Sequence, residues 1–260
     1  MPVYNGANYI QCAIESILRQ TYKDLSLIIS DNCSTDETVS IISKYLSDER
    51  VTLFKQPYNV GMLKNGNAVF DRVKTEYFMI ICHDDYFYDN NALETGIKIL
   101  EENKNIPAVY SNMMFVDQHG KPIMQRKFKY SGLISGNTVG KESIISCRNL
   151  YSLPLLIRTS STQGYKFIEE YSLTGDVDFS MFISKGKQIY YIPKPLIALR
   201  FHGANNTARD YSRFIEQFKR IAIKHDIKLS KSEQLQMNIN NLITVFKKHL
   251  FYFYLDNIRR

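Results

Sequence analysis

Helix-like and strand-like hydrophobic patterns alternate along the first hundred residues, and this alternation limits the folds that the chain can adopt. Apolar side chains at helical spacing predict helices over residues 7–20, 61–73 and 90–103, and short apolar runs predict strands over residues 25–30, 51–55 and 77–83. Strands that alternate with helices of about ten to fifteen residues form βαβ units around a parallel sheet. We therefore expect an α/β fold.

Polar residues follow three of the predicted strands. They are Tyr4-Asn5 after a first strand at the beginning of the chain, residues 31–36 after the strand over 25–30, and His83-Asp84-Asp85 at the end of the strand over 77–83. In open parallel sheets, ligands bind beyond the carboxyl ends of the strands. We therefore expect the three clusters to converge and to form the functional site.

The second half of the chain has a looser pattern. It predicts a hairpin around residues 117–120, a helix over 176–184, a strand over 188–199 and two basic amphipathic helices from residue 208 onward. Two prolines, Pro193 and Pro195, interrupt the predicted strand. Because proline cannot donate a ladder hydrogen bond, this strand is expected at a sheet edge or in a bent form.

Composition narrows the class of protein. With 44% hydrophobic residues the chain is not disordered, and no apolar run approaches the roughly 20 residues of a membrane-spanning helix, so an integral membrane protein is not expected. The four cysteines are widely spaced, which argues against a zinc site and favours reduced thiols in the cytoplasm. The net charge of +7 favours an anionic partner: a nucleotide, a phospholipid surface or a nucleic acid.

Five motifs occur in an order that resembles the family 2 glycosyltransferases of the GT-A fold. They are Pro2-Val-Tyr-Asn-Gly6, Ala13-Ile-Glu-Ser-Ile-Leu-Arg-Gln-Thr-Tyr22, Ser34-Thr-Asp36, Asn59-Val-Gly61 and the pair Asp84-Asp85. The resemblance implies a GT-A domain over residues 1–207, a mixed sheet flanked by helices, followed by a helical extension over residues 208–260. The His-Asp-Asp form and Arg200-Phe-His202 resemble bacterial enzymes that build surface polysaccharides.

The beginning of the chain departs from this pattern. Relatives carry several apolar residues before Pro-Val-Tyr-Asn, and these form the central first strand, whereas this sequence begins at Met1. A shortened central strand would leave buried ladder groups unpaired, at a cost of about 1–3 kcal/mol each. We therefore expect a truncated first strand and a natural start other than Met1.

Two adjacent carboxylates at a strand end suit a hard divalent cation, which prefers oxygen ligands. The resemblance implies that Asp85 ligates Mn²⁺ or Mg²⁺ and that Asp84 contacts the ribose or the surroundings of the metal. The alternative is a solvated turn that caps the helix over residues 90–103. The resemblance also implies a nucleotide site formed by Pro2, Val3, Tyr4, Asp31, Asn32, Asn59, Gly61 and Asp84.

Three details of the nucleotide site stay open. Asn32 stands where the family commonly has an aspartate that meets the base, so the identity of the base is not fixed. Ser34 is expected to cap a helix that packs Val39, Ile42 and Leu46 inward. Residues 64 and 65 are expected to face the phosphate-side loop.

The resemblance implies a general base at Asp176, with Asp178 as the fallback, because the family has a Glu-Asp pair where this chain has Gly175-Asp176. The alternative is that an aspartate only stabilises the helix N-terminus. Arg200 and His202 are expected near the diphosphate, or else in a surface salt bridge. A single base opposite a metal-bound leaving group predicts inversion at the anomeric carbon.

The sequence therefore predicts an inverting enzyme that moves a sugar from a nucleotide-diphosphate donor to a hydroxyl of a glycan or lipid-linked acceptor. It would act in the cytoplasm or at the inner face of the membrane. One interpretation of the C-terminal helices is a peripheral contact with that membrane, and the favoured interpretation is that they pack on the domain. The main alternative is an inactive nucleotide-binding homologue with a regulatory or scaffolding role. Nucleic-acid binding ranks third, since no nucleic-acid module is recognised.

Overall fold

The computed structural model describes residues 1–202 and 211–243, in which two sheets lie between helices. The first sheet is parallel, with the order β1-β2-β3, and consists of β1 (Pro2–Val3), β2 (Leu27–Asp31) and β3 (Val51–Lys55). The helices that connect and follow these strands are α1 (Ile10–Leu18), α2 (Thr38–Ser43) and α3 (Met62–Phe70). The predicted βαβ organisation is therefore confirmed for this part of the chain.

The second sheet is mixed and has seven strands. Its main path is β4-β9-β6-β10-β5, with β7 paired to β6 and β8 paired to β10. The strands are β4 (Tyr77–Phe78), β5 (Tyr86–Phe87), β6 (Ala108–Val116), β7 (Pro122–Arg126), β8 (Gly132–Ser135), β9 (Pro154–Arg158) and β10 (Gln188–Arg200). The helices are α4 (Ala92–Glu102), α5 (Gly136–Ser146), α6 (Gly175–Ser184) and α7 (Tyr211–Lys224), and residues 231–243 form a further helix, α8.

Two predicted strands differ from the structure. Only Tyr77–Phe78 of the run 77–83 forms a ladder, antiparallel to β9, because the apolar pattern reports burial rather than pairing. The strand β10 is central rather than at an edge, since it pairs with β5, β6 and β8. The prolines of β10 have no N–H group to donate to a neighbouring strand. The pairing with β6 shifts register between Ile192 and Ile197, so no hydrogen bond from these prolines is required there.

The helix after β2 also differs from its prediction. It begins at Thr38 with Glu37 at the N-cap position and no side-chain cap, so the capping role expected for Ser34 is wrong. The helix ends at Ser43, and for that reason Leu46 lies beyond it and is exposed.

Two apolar clusters form the interior. The first joins α1, the parallel sheet and α4, and the second joins the central strands of the mixed sheet to α5, α6 and α7. Phe218 and Ile221 of α7 are fully buried in the second cluster, so this helix packs on the domain as the favoured interpretation expected. The predicted boundary at residue 207 and the aromatic residues after 243 lie outside the described residues. Within the described ranges, no helix combines the length and apolar character needed to cross a bilayer.

Candidate active site

The loops after β1 and β2 are joined by hydrogen bonds from main-chain donors to side chains. Asn5 N donates to Ser34 Oγ (2.9 Å), Gly6 N to Thr38 Oγ1 (2.8 Å) and Ala7 N to Asp36 Oδ2 (3.1 Å). These bonds hold the carboxyl ends of the first two strands side by side. The polar residues that the sequence singled out there therefore stabilise the walls of the site.

The third polar cluster lies against the first. A methyl group added at Gly6 would lie 2.4 Å from Cδ2 of His83, so the backbone after β1 and the His83 ring are in direct contact. Burial lowers the pKa of His83, which is typical of a packed rather than a charged imidazole. The expected convergence of the three clusters is confirmed.

Asn32 and Asn59 fix the loop that precedes α3. The Asn32 amide donates to Asn59 Oδ1 (2.8 Å) and accepts from Val60 N (2.9 Å), and Asn59 Oδ1 also accepts from Gly61 N (3.0 Å). Gly61 has a φ of 86°, a left-handed conformation that glycine adopts without strain. Because both ends of its amide are engaged, Asn32 orders this loop.

The remaining nucleotide-site predictions lie at the first two strand ends. Tyr4 is 44% exposed, which leaves its ring free to stack, whereas Asp31 is buried and accepts from Ser34 N. Pro2 and Val3 form β1, and the Val3 carbonyl accepts from Asn32 N (2.8 Å).

Asn65 does not face the phosphate-side loop. It is 2% exposed, and its side chain bonds to the Ser30 hydroxyl (2.7 Å) and the Ser30 carbonyl (2.9 Å). It therefore fixes α3 against β2 inside the domain.

Asp84, Asp85 and Cys82 form a group of candidate metal ligands. One ligand atom from each lies within 4.8 Å of those of the other two. Asp85 is 8% exposed, and burial together with the charge of Asp84 raises its pKa well above the usual range. Its Oδ1 accepts from Arg200 N (3.1 Å), and its Oδ2 accepts no hydrogen bond from a described residue. This carboxylate oxygen can therefore ligate a divalent cation, which prefers oxygen ligands.

Arg200 and His202 hold the Asp84-Asp85 turn from the end of β10. The Arg200 guanidinium donates to the carbonyls of Asp84 (3.1 Å) and Gln118 (3.2 Å), and it lies over the rings of Tyr9 and Tyr86. His202 Nε2 lies 3.0 Å from Asp84 Oδ2. Arg200 is only 6% exposed, so the alternative of a surface salt bridge is wrong for this residue.

Asp176 lies in the first turn of α6. Burial raises the pKa of the Cys82 thiol most, the charges of Asp84 and Asp85 raise it further, and the charge of Asp176 adds a smaller rise. Burial raises the pKa of Asp176 itself, while a hydrogen bond from Asn149 Nδ2 (2.6 Å) opposes that rise.

Asp178 lies elsewhere. It is fully buried and accepts hydrogen bonds from Tyr165 Oη (2.8 Å) and Lys224 Nζ (2.7 Å), and His225 Nε2 lies 2.8 Å from its Oδ1. These contacts join α6 to α7. Asp178 is therefore a structural residue, and Asp176 alone remains the candidate base.

Three residues of the site were missed from the sequence. Cys82 ends an apolar run and was interpreted as part of a strand, although its spacing of two from Asp84 places both side chains on one side of an extended chain. Asn149 and Arg126 come from irregular or edge segments, and the Arg126 guanidinium donates to the Asn149 carbonyl (2.7 Å) while its charge lowers the pKa of Asp176. No local sequence signal marks these two.

Comparisons with known proteins identify the family of the chain. The profile of the family described as "Glycosyl transferase family 2" matches residues 1–153, more than half of the chain. An uncharacterized glycosyltransferase of Rickettsia prowazekii is 30% identical over 244 residues, which cover 91% of this chain and 73% of that protein.

Solved structures show the same fold. TarS of S. aureus in complex with UDP-GlcNAc superposes with a TM-score of 0.71 at 20% identity, over 90% of this chain and 67% of that one. The chain spans 42% of a longer TarS structure. The mannosyltransferase PcManGT of Pyrobaculum calidifontis, in complex with GDP-Man and Mn²⁺, gives a TM-score of 0.59 at 12% identity, over 96% of this chain and 81% of that one. The fold is the GT-A fold, and the chain belongs to glycosyltransferase family 2.

Proposed function

We propose that this chain is an inverting, metal-dependent glycosyltransferase that moves a sugar from a nucleotide-diphosphate donor to a hydroxyl of a glycan or lipid-linked acceptor. The observation that carries the proposal is that two separate carboxylates are held in fixed positions: Asp85 by a hydrogen bond from Arg200 N (3.1 Å) and Asp176 by one from Asn149 Nδ2 (2.6 Å). The proposal assigns these carboxylates two functions: a cation-binding pair, Asp84 and Asp85, and a separate base, Asp176. This is the pairing that single displacement requires.

Asp176 is the general base in this proposal. Asn149 holds one carboxylate oxygen at 2.6 Å, and the Val177 N–H holds the other at 2.9 Å, so the carboxylate has a fixed direction. It accepts the proton of the acceptor hydroxyl as that oxygen attacks the anomeric carbon. Because no second carboxylate acts as a nucleophile, the sugar configuration inverts.

Asp85 and Asp84 would hold the divalent cation, with Arg200 and His202 fixing their orientation. When bound, the cation stabilises the negative charge that develops on the departing nucleoside diphosphate. In this arrangement Arg200 acts through the Asp84-Asp85 turn, because its guanidinium is engaged by main-chain carbonyls.

The donor nucleotide lies on the first two strand ends in this proposal. Tyr4 is exposed for stacking, and the loop held by Asn32 and Asn59 lines the opposite side. The TarS complex with UDP-GlcNAc and the mannosyltransferase complex with GDP-Man support a nucleoside diphosphate, with a uridine or a guanosine nucleotide as the first candidates.

A role in bacterial surface polysaccharide synthesis is supported by the His83-Asp84-Asp85 and Arg200-Phe-His202 patterns. A lipid-linked acceptor would place the enzyme at the inner face of the membrane. The helix α8 supports such a contact, since apolar side chains at helical spacing along it are exposed: Leu235, Ile239, Leu242 and Ile243.

Thermal unfolding with UDP, dTDP, GDP or CMP, each with and without Mn²⁺, tests the proposal. A ligand that binds only the folded state stabilises it by about 2.7 kcal/mol at a hundredfold excess over Kd. We expect a metal-dependent rise in Tm with one nucleotide, lost in Asp85→Ala and retained in Asp176→Asn. No rise with any nucleotide in folded protein would contradict the proposal, whereas a rise without sugar transfer would favour the inactive nucleotide-binding homologue.

A further inference from the structure

We propose that Arg126 and Arg148 bind a carboxylate or phosphate group that the acceptor carries beside the hydroxyl under attack. The inference rests on the transferase of the proposed function and names the chemistry of its acceptor. It starts from Arg126, whose side chain is partly buried and forms no ion pair within the described residues. A partly buried cation without a carboxylate partner is suited to an anionic ligand.

The guanidinium of Arg126, at the end of β7, has N–H donors that no described residue uses. Its one hydrogen bond within the described ranges runs from Nη2 to the Asn149 carbonyl (2.7 Å). It also lies over the rings of Phe128 and Phe115, 4.8 Å and 6.0 Å from their centroids. Stacking engages the face of the planar group, whereas the N–H donors lie in its plane and form a fork that matches a carboxylate or a phosphate. Arg126 can therefore hold an anion while it stays stacked.

Arg148 adds a second positive charge. It directly precedes Asn149, and its exposed side chain forms neither an ion pair nor a hydrogen bond in the part of the chain that the structure describes. Burial lowers the pKa of Arg126 most, the charge of Asp176 raises it, and the charge of Arg148 lowers it. Two guanidinium groups thus lie near one carboxylate, so the local charge favours an anion.

Asn149 joins Arg126 to the candidate base. Its carbonyl accepts from Arg126, and its Nδ2 donates to Asp176 Oδ2 (2.6 Å). In the proposed reaction Asp176 takes the proton of the acceptor hydroxyl, so an anion held at Arg126 lies on the acceptor, close to that hydroxyl. The diphosphate of the donor is assigned to the cation at the Asp84-Asp85 turn and does not compete for this position.

Aromatic rings extend from Arg126 towards the end of β10. The Phe115 ring, over which the guanidinium lies, contacts the Phe201 ring with 4.8 Å between the centroids. Phe201 directly follows Arg200, which holds the Asp84-Asp85 turn. All of these rings are partly exposed. Ligand sites combine such an aromatic lining with a few polar groups that fix orientation, and Arg126 supplies that group here.

Saturation-transfer NMR with small anions tests the inference without nucleotide. The probes are methyl glucuronide for a carboxylate and glycerol 3-phosphate for a phosphate, each compared with its neutral counterpart, methyl glucoside or glycerol. We expect an anion to bind and its neutral counterpart not to bind. Arg126→Gln should weaken the binding about tenfold, and Arg126→Lys should weaken it less, because lysine keeps the charge but lacks the fork.

Two further variants make the test specific. Arg148→Gln changes an exposed side chain, so it should fold normally and weaken anion binding about threefold. Arg72→Gln is the matched control, since Arg72 also lies over a ring, that of Phe54 (4.4 Å), and donates to one main-chain carbonyl, that of Ala68, but lies just after α3. It should leave the binding of both anions unchanged. Circular dichroism checks the fold of every variant.

A donor arm identifies the source of the anion. It compares nucleotide-linked glucuronate with nucleotide-linked glucose, on the nucleotide that the thermal assay identifies. Arg126→Gln should weaken neither donor. A loss confined to the glucuronate donor, with the free anions unaffected, would place the anion on the donor and overturn the assignment to the acceptor.

The outcomes also separate this inference from the proposed function. If folded wild-type protein binds neither anion, or if Arg126→Gln binds them as the wild type does, the anion site is overturned, and Arg126 only supports Asn149. The nucleotide-dependent rise in Tm, and with it the transferase proposal, would be unaffected. Anion binding that depends on Arg126, in protein that shows no rise with any nucleotide, supports the anion site while the transferase proposal fails.

Discussion

The two faces of the first turn of α6 carry aspartates with opposite surroundings. Burial raises the pKa of Asp176, and a single side-chain hydrogen bond, from Asn149, opposes that rise. Burial would also raise the pKa of Asp178, but hydrogen bonds from His225, Lys224 and Tyr165 lower it overall. The comparison teaches that the donors around a carboxylate, and not its place in the chain, decide whether it serves as a base or as a structural ion pair.

The largest expected effect is on activity, at the candidate base Asp176. Asp176→Asn keeps the shape and removes the proton acceptor, so turnover should fall about 10³-fold, within the usual contribution of general base catalysis. The measurement is release of nucleoside diphosphate from the donor that the thermal assay identifies. Asp176→Asn should still bind the donor, whereas Asp85→Asn should not. Turnover close to that of the wild type in Asp176→Asn would show that Asp176 is not the base.

The largest expected effect on stability is at Asp178, on the opposite face of α6. Asp178→Asn leaves the Lys224 and His225 side chains without their buried partner, so the free energy of unfolding should fall by about 3 kcal/mol. Urea unfolding followed by circular dichroism measures it. Asp176→Asn is the matched control, and an equal loss in both variants would show that the two faces do not differ in this way.

The contrast between the faces marks the limit of what the sequence could predict. The strand β3 was predicted with its observed bounds, because its run of strand-forming residues is local in the sequence. The candidate base Asp176 also follows from a local motif. Two partners of Asp178, Lys224 and His225, lie at the end of α7, 46 and 47 residues away along the chain, and no local pattern encodes such a pairing.

The same limit applies to the site. The Asp84-Asp85 pair and the convergence of the strand-end clusters were predicted, since the fold class places strand ends at one edge. The hydrogen bond from Asn149 to Asp176 was not predicted, because the two residues lie 27 positions apart in the chain, one in an irregular segment and the other in a helix. It supplies an orienting contact to a carboxylate that Gly175, which has no side chain, cannot provide.

A smaller effect is expected when that contact is removed. Asn149→Ala deletes the donor at 2.6 Å and should lower kcat about tenfold, as a hydrogen bond to a charged group contributes about 1.5–3 kcal/mol. KM for the donor should stay the same. Because the bond holds down the pKa of Asp176, the acid limb of the pH profile should move to higher pH.

Asn103→Ala is the matched control for Asn149→Ala. Asn103 is also half-buried and donates to one main-chain carbonyl, that of Ile99, but it lies at the end of α4. It should change neither kcat nor the pH profile. A fall in kcat in Asn149→Ala with an unchanged acid limb would assign Asn149 to packing and not to the orientation of the base.

The smallest effect is the pH dependence of stability, where the two carboxylates should have opposite signs. The pKa of Asp178 is lower in the folded state than in the unfolded state. Its contribution to the free energy of unfolding is therefore present above the unfolded pKa of about 3.9 and is lost as pH falls through the folded pKa. The pKa of Asp176 is higher in the folded state than in the unfolded state. Its contribution to the free energy of unfolding is therefore present below the unfolded pKa and is lost as pH rises through the folded pKa. Near neutral pH, Asp176→Asn should therefore raise the free energy of unfolding slightly while Asp178→Asn lowers it. Urea unfolding of both variants between pH 3 and pH 7 should show this difference shrinking towards low pH, and a difference that is constant with pH would mean that charge does not distinguish the two faces of α6.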